Sequence, residues 1–418
     1  MTSTVSWLDA DDAQRRRMRE AVELFRQEGT VDELGLGRMR DVISDRLFPG
    51  TSVLWRRARY LLFVPWLFQL LEAGEPTGMR GATPEERARH LQKRLALTLK
   101  RWAEEETSPS VDTRGIIGRN KIDVWQTPDM NVWAGLEVWG IRVIPTTLAQ
   151  ARREAVERSR AAGLLSALDS PPESIWNPRL PAMPEGFPDG ISMELEPHEA
   201  EFLASLLRDS NLALDPISER RHSSLMPVLL RSSEEEFQAA EAPLFVGFSD
   251  IDPELAVHLE MAACFSQIMR AGQLLYVQVV AEARGDEHSE GVLERLERAW
   301  TQWEERAAID SQRLEHWHEH LPDFDELIKT RNPRIVSRDL KFVADWTAEV
   351  MGATKPLPTN KRARSLIVER ENRVKGAKAK ILRGERIGQD AAVDIPIPLS
   401  FRWEVVHNVI ADIRQALP

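Results

Sequence analysis

The chain has 418 residues, of which 42% are hydrophobic and 29% charged, and a formal net charge of -11. That balance describes a globular chain long enough for two or three domains, neither disordered nor membranous, and too acidic overall for a generic nucleic-acid binder. Cys264 is the only cysteine, which excludes an intramolecular disulfide and a thiolate metal cluster and fits a reducing cytoplasm.

The amino terminus lacks the basic-then-apolar order of a secretory signal and turns polar within ten residues. A first helix is expected from Asp9 or Asp11 to Gln27, and a second from Val31 to Leu47. The "FPGTS" turn then offers Thr51 or Ser52 as a cap for a third. That third helix, in "SVLWRRARYLLFVPWLF", is apolar on nearly every face, the mark of a central buried helix, and Pro65 should kink it. The apolar run over residues 60–71 falls short of the roughly 20 residues that a membrane span needs, so no membrane partner is expected. Arg56, Arg57 and Arg59 lead into this run. Their forks suit either carboxylates, with Asp41 and Asp45 nearest in sequence, or a phosphate. The carboxylate reading is preferred, because an unpaired buried charge is very costly.

Further helices are expected over residues 84–106, 128–139 (closed by Gly140) and 147–168. Gly115, Gly118 and Gly140, with β-branched and aromatic residues between them, suggest a small mixed α/β unit near residues 111–145. Residues 169–190 hold six prolines and read as a linker or an extended crossing strap. Long helical patterns fill 252–283 and 287–320, with others at 337–351, 360–382 and 401–416. The expected architecture is mainly α, a multi-helix body divided into 1–168, the linker 169–190, a central helical domain 191–352 and a basic carboxy-terminal segment 353–418.

No Walker loop, dinucleotide fingerprint or nucleophile elbow occurs. "LGLG" at residues 34–37 lies in a helical pattern with no strand before it, which disfavours a phosphate cradle. His316 and His320 stand at i,i+4, a spacing that suits one metal, yet Trp317 occupies the place where a zinc protease has its general base. Neither metal nor cofactor is expected, and an unrecognised metal-dependent enzyme is kept as an alternative. Cys264 lies on an apolar helix and reads as core packing.

Charge is uneven along the chain. Residues 287–326 hold 12 acidic and 4 basic groups, and residues 355–386 hold 11 basic and 3 acidic. A basic helix with an apolar stripe (Leu366, Ile367, Val374, Ile381, Leu382) can dock one face and offer another to successive phosphates. The candidate nucleic-acid residues are Lys361, Arg362, Arg364, Arg373, Lys375, Lys378, Lys380 and Arg383. The alternative is that this helix packs on the acidic segment 287–326 and the charges cancel.

Several stretches, in order, resemble an uncharacterised bacterial family, domain of unknown function 6361: "PGTSVLWRRARYLLFVPWLF", "GIIGRNKIDVWQTPDMNVWAGLEVWGI", "LEPHEAEFLASLLRDS", "LLYVQVVAE", "RARSLIVERENRVKGAKAKIL" and "SFRWEVVHNVIADI". The chain departs from that family by being less basic over 120–129 and by having Val277 after Tyr276. The resemblance implies no known activity. It implies a setting beside helicases and phospholipase-D-like nucleases in defence-type gene neighbourhoods. The expected function is therefore a non-enzymatic, nucleic-acid-binding adaptor subunit of an antiphage defence or DNA-processing system. DNA and a helicase or nuclease subunit are the expected partners, and a pure protein scaffold is the alternative.

Overall fold

The computed structural model describes residues 33–108, 111–118, 127–165, 173–208, 224–240, 251–309, 311–332, 334–335, 337–381 and 395–418. Fourteen α-helices occur among them. They are α1 (Gly37–Leu47), α2 (Tyr60–Glu72), α3 (Pro84–Glu105), α4 (Pro128–Val138), α5 (Leu148–Leu165), α6 (Pro197–Arg208) and α7 (Leu225–Arg231). There follow α8 (Glu234–Ala239), α9 (Pro253–Arg284), α10 (Glu287–Ile309), α11 (Ser311–Arg331), α12 (Ser337–Met351), α13 (Lys361–Lys375) and α14 (Trp403–Ala416). The helix expected over 9–27 lies outside the described residues. The chain forms two compact units, one containing Phe48–Ser232 and Arg402–Pro418, the other containing α1 and Ser233–Phe401.

The first unit is organised around α2. Eleven of its thirteen residues are buried, as the all-round apolar sequence requires, and α3, α4 and α5 pack on it. Pro65 lies inside this helix. The helix starts at Tyr60, later than the Thr51 or Ser52 cap predicts, because side chains and backbone ahead of it are engaged elsewhere. Thr51 Oγ1 donates to the Phe48 carbonyl at 2.7 Å, and the Ala58 N–H donates to Asp412 Oδ2 at 2.9 Å.

The expected mixed α/β unit is not seen among the described residues. The described residues of 111–145 are turns and α4, and Gly115, Gly118 and Gly140 all have positive φ, which is turn geometry. The one β-type pairing among the described residues is an isolated antiparallel bridge between Arg142 and Trp176. Trp176 belongs to residues 173–190, which run as a strap within the first unit. Ile175, Trp176 and Phe187 are buried, and the Pro181 carbonyl accepts the Trp66 indole N–H at 2.9 Å. Trp176 meets Phe68 and Trp133 edge-on, and Phe187 meets Trp66 in the same way.

In the first unit the three arginines find carboxylates other than Asp41 and Asp45. Arg56 pairs with Glu404 at 3.0 Å on the surface. Arg57 pairs with Asp412 at 3.0 Å, and Arg59 with Glu199 at 2.8 Å, both inside. Burial pushes the Asp412 carboxyl above its ordinary value even though Arg57 pulls it the other way.

The second unit is built on α9, 32 residues and about 48 Å long at 1.5 Å per residue. Asp252 caps its start by accepting from Glu254 N and Leu255 N at 3.0 Å, and Gly285 ends it with φ +63. Helices α1, α10, α11, α12 and α13 pack around it. Trp346 of α12 donates its indole N–H to the Ile268 carbonyl at 2.9 Å. The pattern over 287–320 resolves into two helices, α10 and α11, rather than one.

Candidate functional site

Helix α13 begins where Asn360 accepts from Arg362 N and Ala363 N, at 2.9 and 3.3 Å. Its buried face is Ala363, Ile367, Arg370 and Glu371, while Val374, expected in the docked stripe, is 37% exposed. The helix stops at Lys375 rather than at residue 382. Gly376 takes φ +53, a short 3-10 turn covers Gly376–Lys378, and the chain folds back.

Glu371 fixes that return. Fully buried, it accepts from the Tyr276 hydroxyl at 3.1 Å, from Lys380 N at 2.6 Å and from Ile381 N at 3.0 Å. Burial, together with the negative charges of Glu33 and Glu371, pushes the Tyr276 phenol up. With its backbone so held, Lys380 reaches Glu33 Oε1 at 2.8 Å, and Lys375 reaches Glu33 Oε2 at 3.0 Å. One carboxylate therefore sits between two ammonium groups.

Arg370 fixes the backbone beside Glu33. Its guanidinium donates to the Leu34 carbonyl at 2.8 Å, pairs with Asp339 at 2.6 Å and lies 4.9 Å from the Phe342 ring centroid. The "LGLG" stretch is thus not helical at its start. Residues 33–35 form a turn with Gly35 at φ +62, and α1 begins only at Gly37. Burial alone would raise the Glu33 pKa, but Lys380 and Lys375 outweigh it and hold the carboxyl below its ordinary 4.5. A group lowered on folding stabilises the fold above its unfolded pKa and loses that contribution as pH falls through the folded one. The stability difference between wild type and Glu33→Gln is accordingly expected to shrink as pH drops below 4.5, measured by urea unfolding at stepped pH.

The seven sequence-predicted cations that lie among the described residues divide into three groups. Arg362 pairs with Glu349 at 3.1 Å, and Arg364 pairs with Glu282 and donates to the Pro358 carbonyl at 2.9 Å. Lys375 and Lys380 hold Glu33. Lys361, Arg373 and Lys378 are exposed and have no carboxylate partner among the described residues. Arg383 lies outside the described residues. Among the described residues, the carboxylates that form ion pairs with the basic segment are Glu33, Glu282, Asp339 and Glu349, and none of these comes from 287–326.

Glu33, Arg370 and Glu371 are the residues that sequence reasoning missed. The last two had a signal: 363, 367, 370 and 371 follow the i, i+4, i+7, i+8 spacing of one helix face. Glu33 had none, being more than 340 residues from its lysines. Among the described residues no group of three or more His, Cys, Asp or Glu is placed to hold a metal, His316 and His320 included. No helix there is long and apolar enough to cross a membrane.

No curated protein and no solved structure matches this chain. Residues 2–416 match a family of unknown function, DUF6361, and the chain belongs to that family.

Proposed function

We propose that the chain is a non-enzymatic, nucleic-acid-binding adaptor, a cytoplasmic subunit of a bacterial antiphage defence or DNA-processing system that serves a helicase or nuclease. The observation that carries the binding is the carboxy-terminal end of α13. Arg373, Lys375, Lys378 and Lys380 lie within eight residues, and Glu33 is the sole carboxylate paired with any of them among the described residues. The negative end of the helix dipole favours cations there, and a surplus of positive charge on a fixed turn suits a phosphate backbone. Lys361 stands about 18 Å away along the helix and about 120° around it, outside this cluster.

The test is binding to labelled single- and double-stranded DNA across a salt series, comparing wild type with Arg373→Glu/Lys378→Glu. Neither side chain has a carboxylate partner among the described residues, so stability should stay within about 1 kcal/mol of wild type. Affinity should fall, and the slope of log K against log salt should flatten by about 1.8 for two lost duplex phosphate contacts. Unchanged affinity and slope would move the reading to a protein scaffold without nucleic acid. That second reading draws on the pairing of Arg362 and Arg364 within the fold, and it predicts co-purification with a neighbouring gene product.

A further inference from the structure

Two lysines converge on one carboxylate at the end of α13. Lys375 and Lys380 each hold a separate oxygen of Glu33, at 3.0 and 2.8 Å, an arrangement a phosphate could take with two of its own oxygens. The seat is built rather than incidental. Glu371 holds the Lys380 backbone, Arg370 holds the Leu34 carbonyl next to Glu33, and Gly376 sets the turn between the lysines. It is also within reach of solvent, since the lysine side chains are each 25% exposed and Glu33 16%.

We infer that Lys375 and Lys380 form a phosphate-binding seat in which Glu33 is the internal occupant, so that a backbone phosphate enters as the Glu33 side chain swings out. This deepens the nucleic-acid reading and rests on it for the source of the phosphate. The backbone near Glu33 stays held by Arg370, so only the side chain has to move. Glu33 then acts as a built-in competitor that lowers affinity for any weakly held phosphate chain.

The experiment compares wild type, Glu33→Gln and Glu33→Gln/Lys375→Gln/Lys380→Gln, each checked by thermal melting, with DNA across a salt series and with inorganic phosphate alone followed by NMR of the lysine ammonium groups. Glu33→Ala serves as a second variant should the glutamine form melt early. The expected result is tighter DNA binding by Glu33→Gln, with a salt slope steeper by about 0.9 for each lysine that gains a duplex phosphate. The triple variant should lose both gains, and inorganic phosphate should shift the Lys375 and Lys380 signals in Glu33→Gln more than in wild type. DNA binding that is equal in wild type and Glu33→Gln, with no phosphate shift at the lysines, overturns the seat while leaving the adaptor reading standing. Phosphate shifts at both lysines without DNA binding by any form keep the seat and overturn its nucleic-acid source. No response to phosphate or DNA in any form overturns both.

Discussion

Replacing Glu199 by alanine is expected to cost about 3–5 kcal/mol of stability, the usual penalty for leaving a buried charge without its partner. The Arg59 and Glu199 side chains are 3% and 1% exposed and 2.8 Å apart. Glu199 also accepts the Glu196 N–H at 3.0 Å, just ahead of α6, so its loss takes away the acceptor of that helix-start donor as well. Arg59 donates in addition to the Ser192 carbonyl and hydroxyl at 3.2 Å, and its buried Nε has no partner among the described residues. Those bonds are too few to satisfy the guanidinium once the carboxylate is gone. Urea unfolding should show a lower midpoint with an unchanged slope. The double variant Arg59→Met/Glu199→Leu should recover much of the loss, because removing both charges removes the desolvation cost along with the attraction. If the single and double variants lost the same amount, the pair would be acting through packing rather than charge.

The same pair shows where sequence reasoning reaches and where it stops. Some boundaries are local and legible: the start of the 252–283 pattern, Gly140 after α4, and the whole of α12 from Ser337 to Met351, whereas the cap expected at Thr51 or Ser52 does not start α2. The buried character of α2 was equally legible, because apolarity on all faces has only one meaning in a globular chain. The partners of Arg57 and Arg59 were not, since Asp412 and Glu199 lie far along the sequence and nothing local distinguishes them from Asp41 and Asp45. Long-range pairing also moved the start of α2, by drawing the Ala58 N–H to Asp412, and the end of α13, by drawing the Lys380 and Ile381 N–H groups to Glu371. The glycines at 115, 118 and 140 signalled a break in helix without saying whether strand or turn would follow. For the candidate site, composition located the cations. It did not sort Arg362 and Arg364, which the fold neutralises, from Arg373 and Lys378, which it leaves exposed.

Glu371→Ala is expected to destabilise the second unit by about 3 kcal/mol, because the buried Tyr276 hydroxyl and two half-buried backbone N–H groups lose their acceptor, and an unmade buried bond costs about 1–3 kcal/mol. The donors are the Tyr276 hydroxyl and the backbone N–H groups of Lys380 and Ile381. Glu371→Gln keeps one carbonyl oxygen and should lose less. The two backbone donors make the change readable beyond global stability. Amide exchange at Lys380 and Ile381 should speed up in Glu371→Ala by more than the fall in global stability accounts for, since local opening of the return turn no longer breaks any bond to Glu371. With that turn loosened, Lys380 is no longer carried to Glu33, whereas Lys375, on the last turn of α13, keeps its own contact. Glu371→Ala should therefore weaken phosphate binding at Lys380 selectively, and a uniform loss at both lysines would mean that Glu371 supports the whole unit rather than the seat.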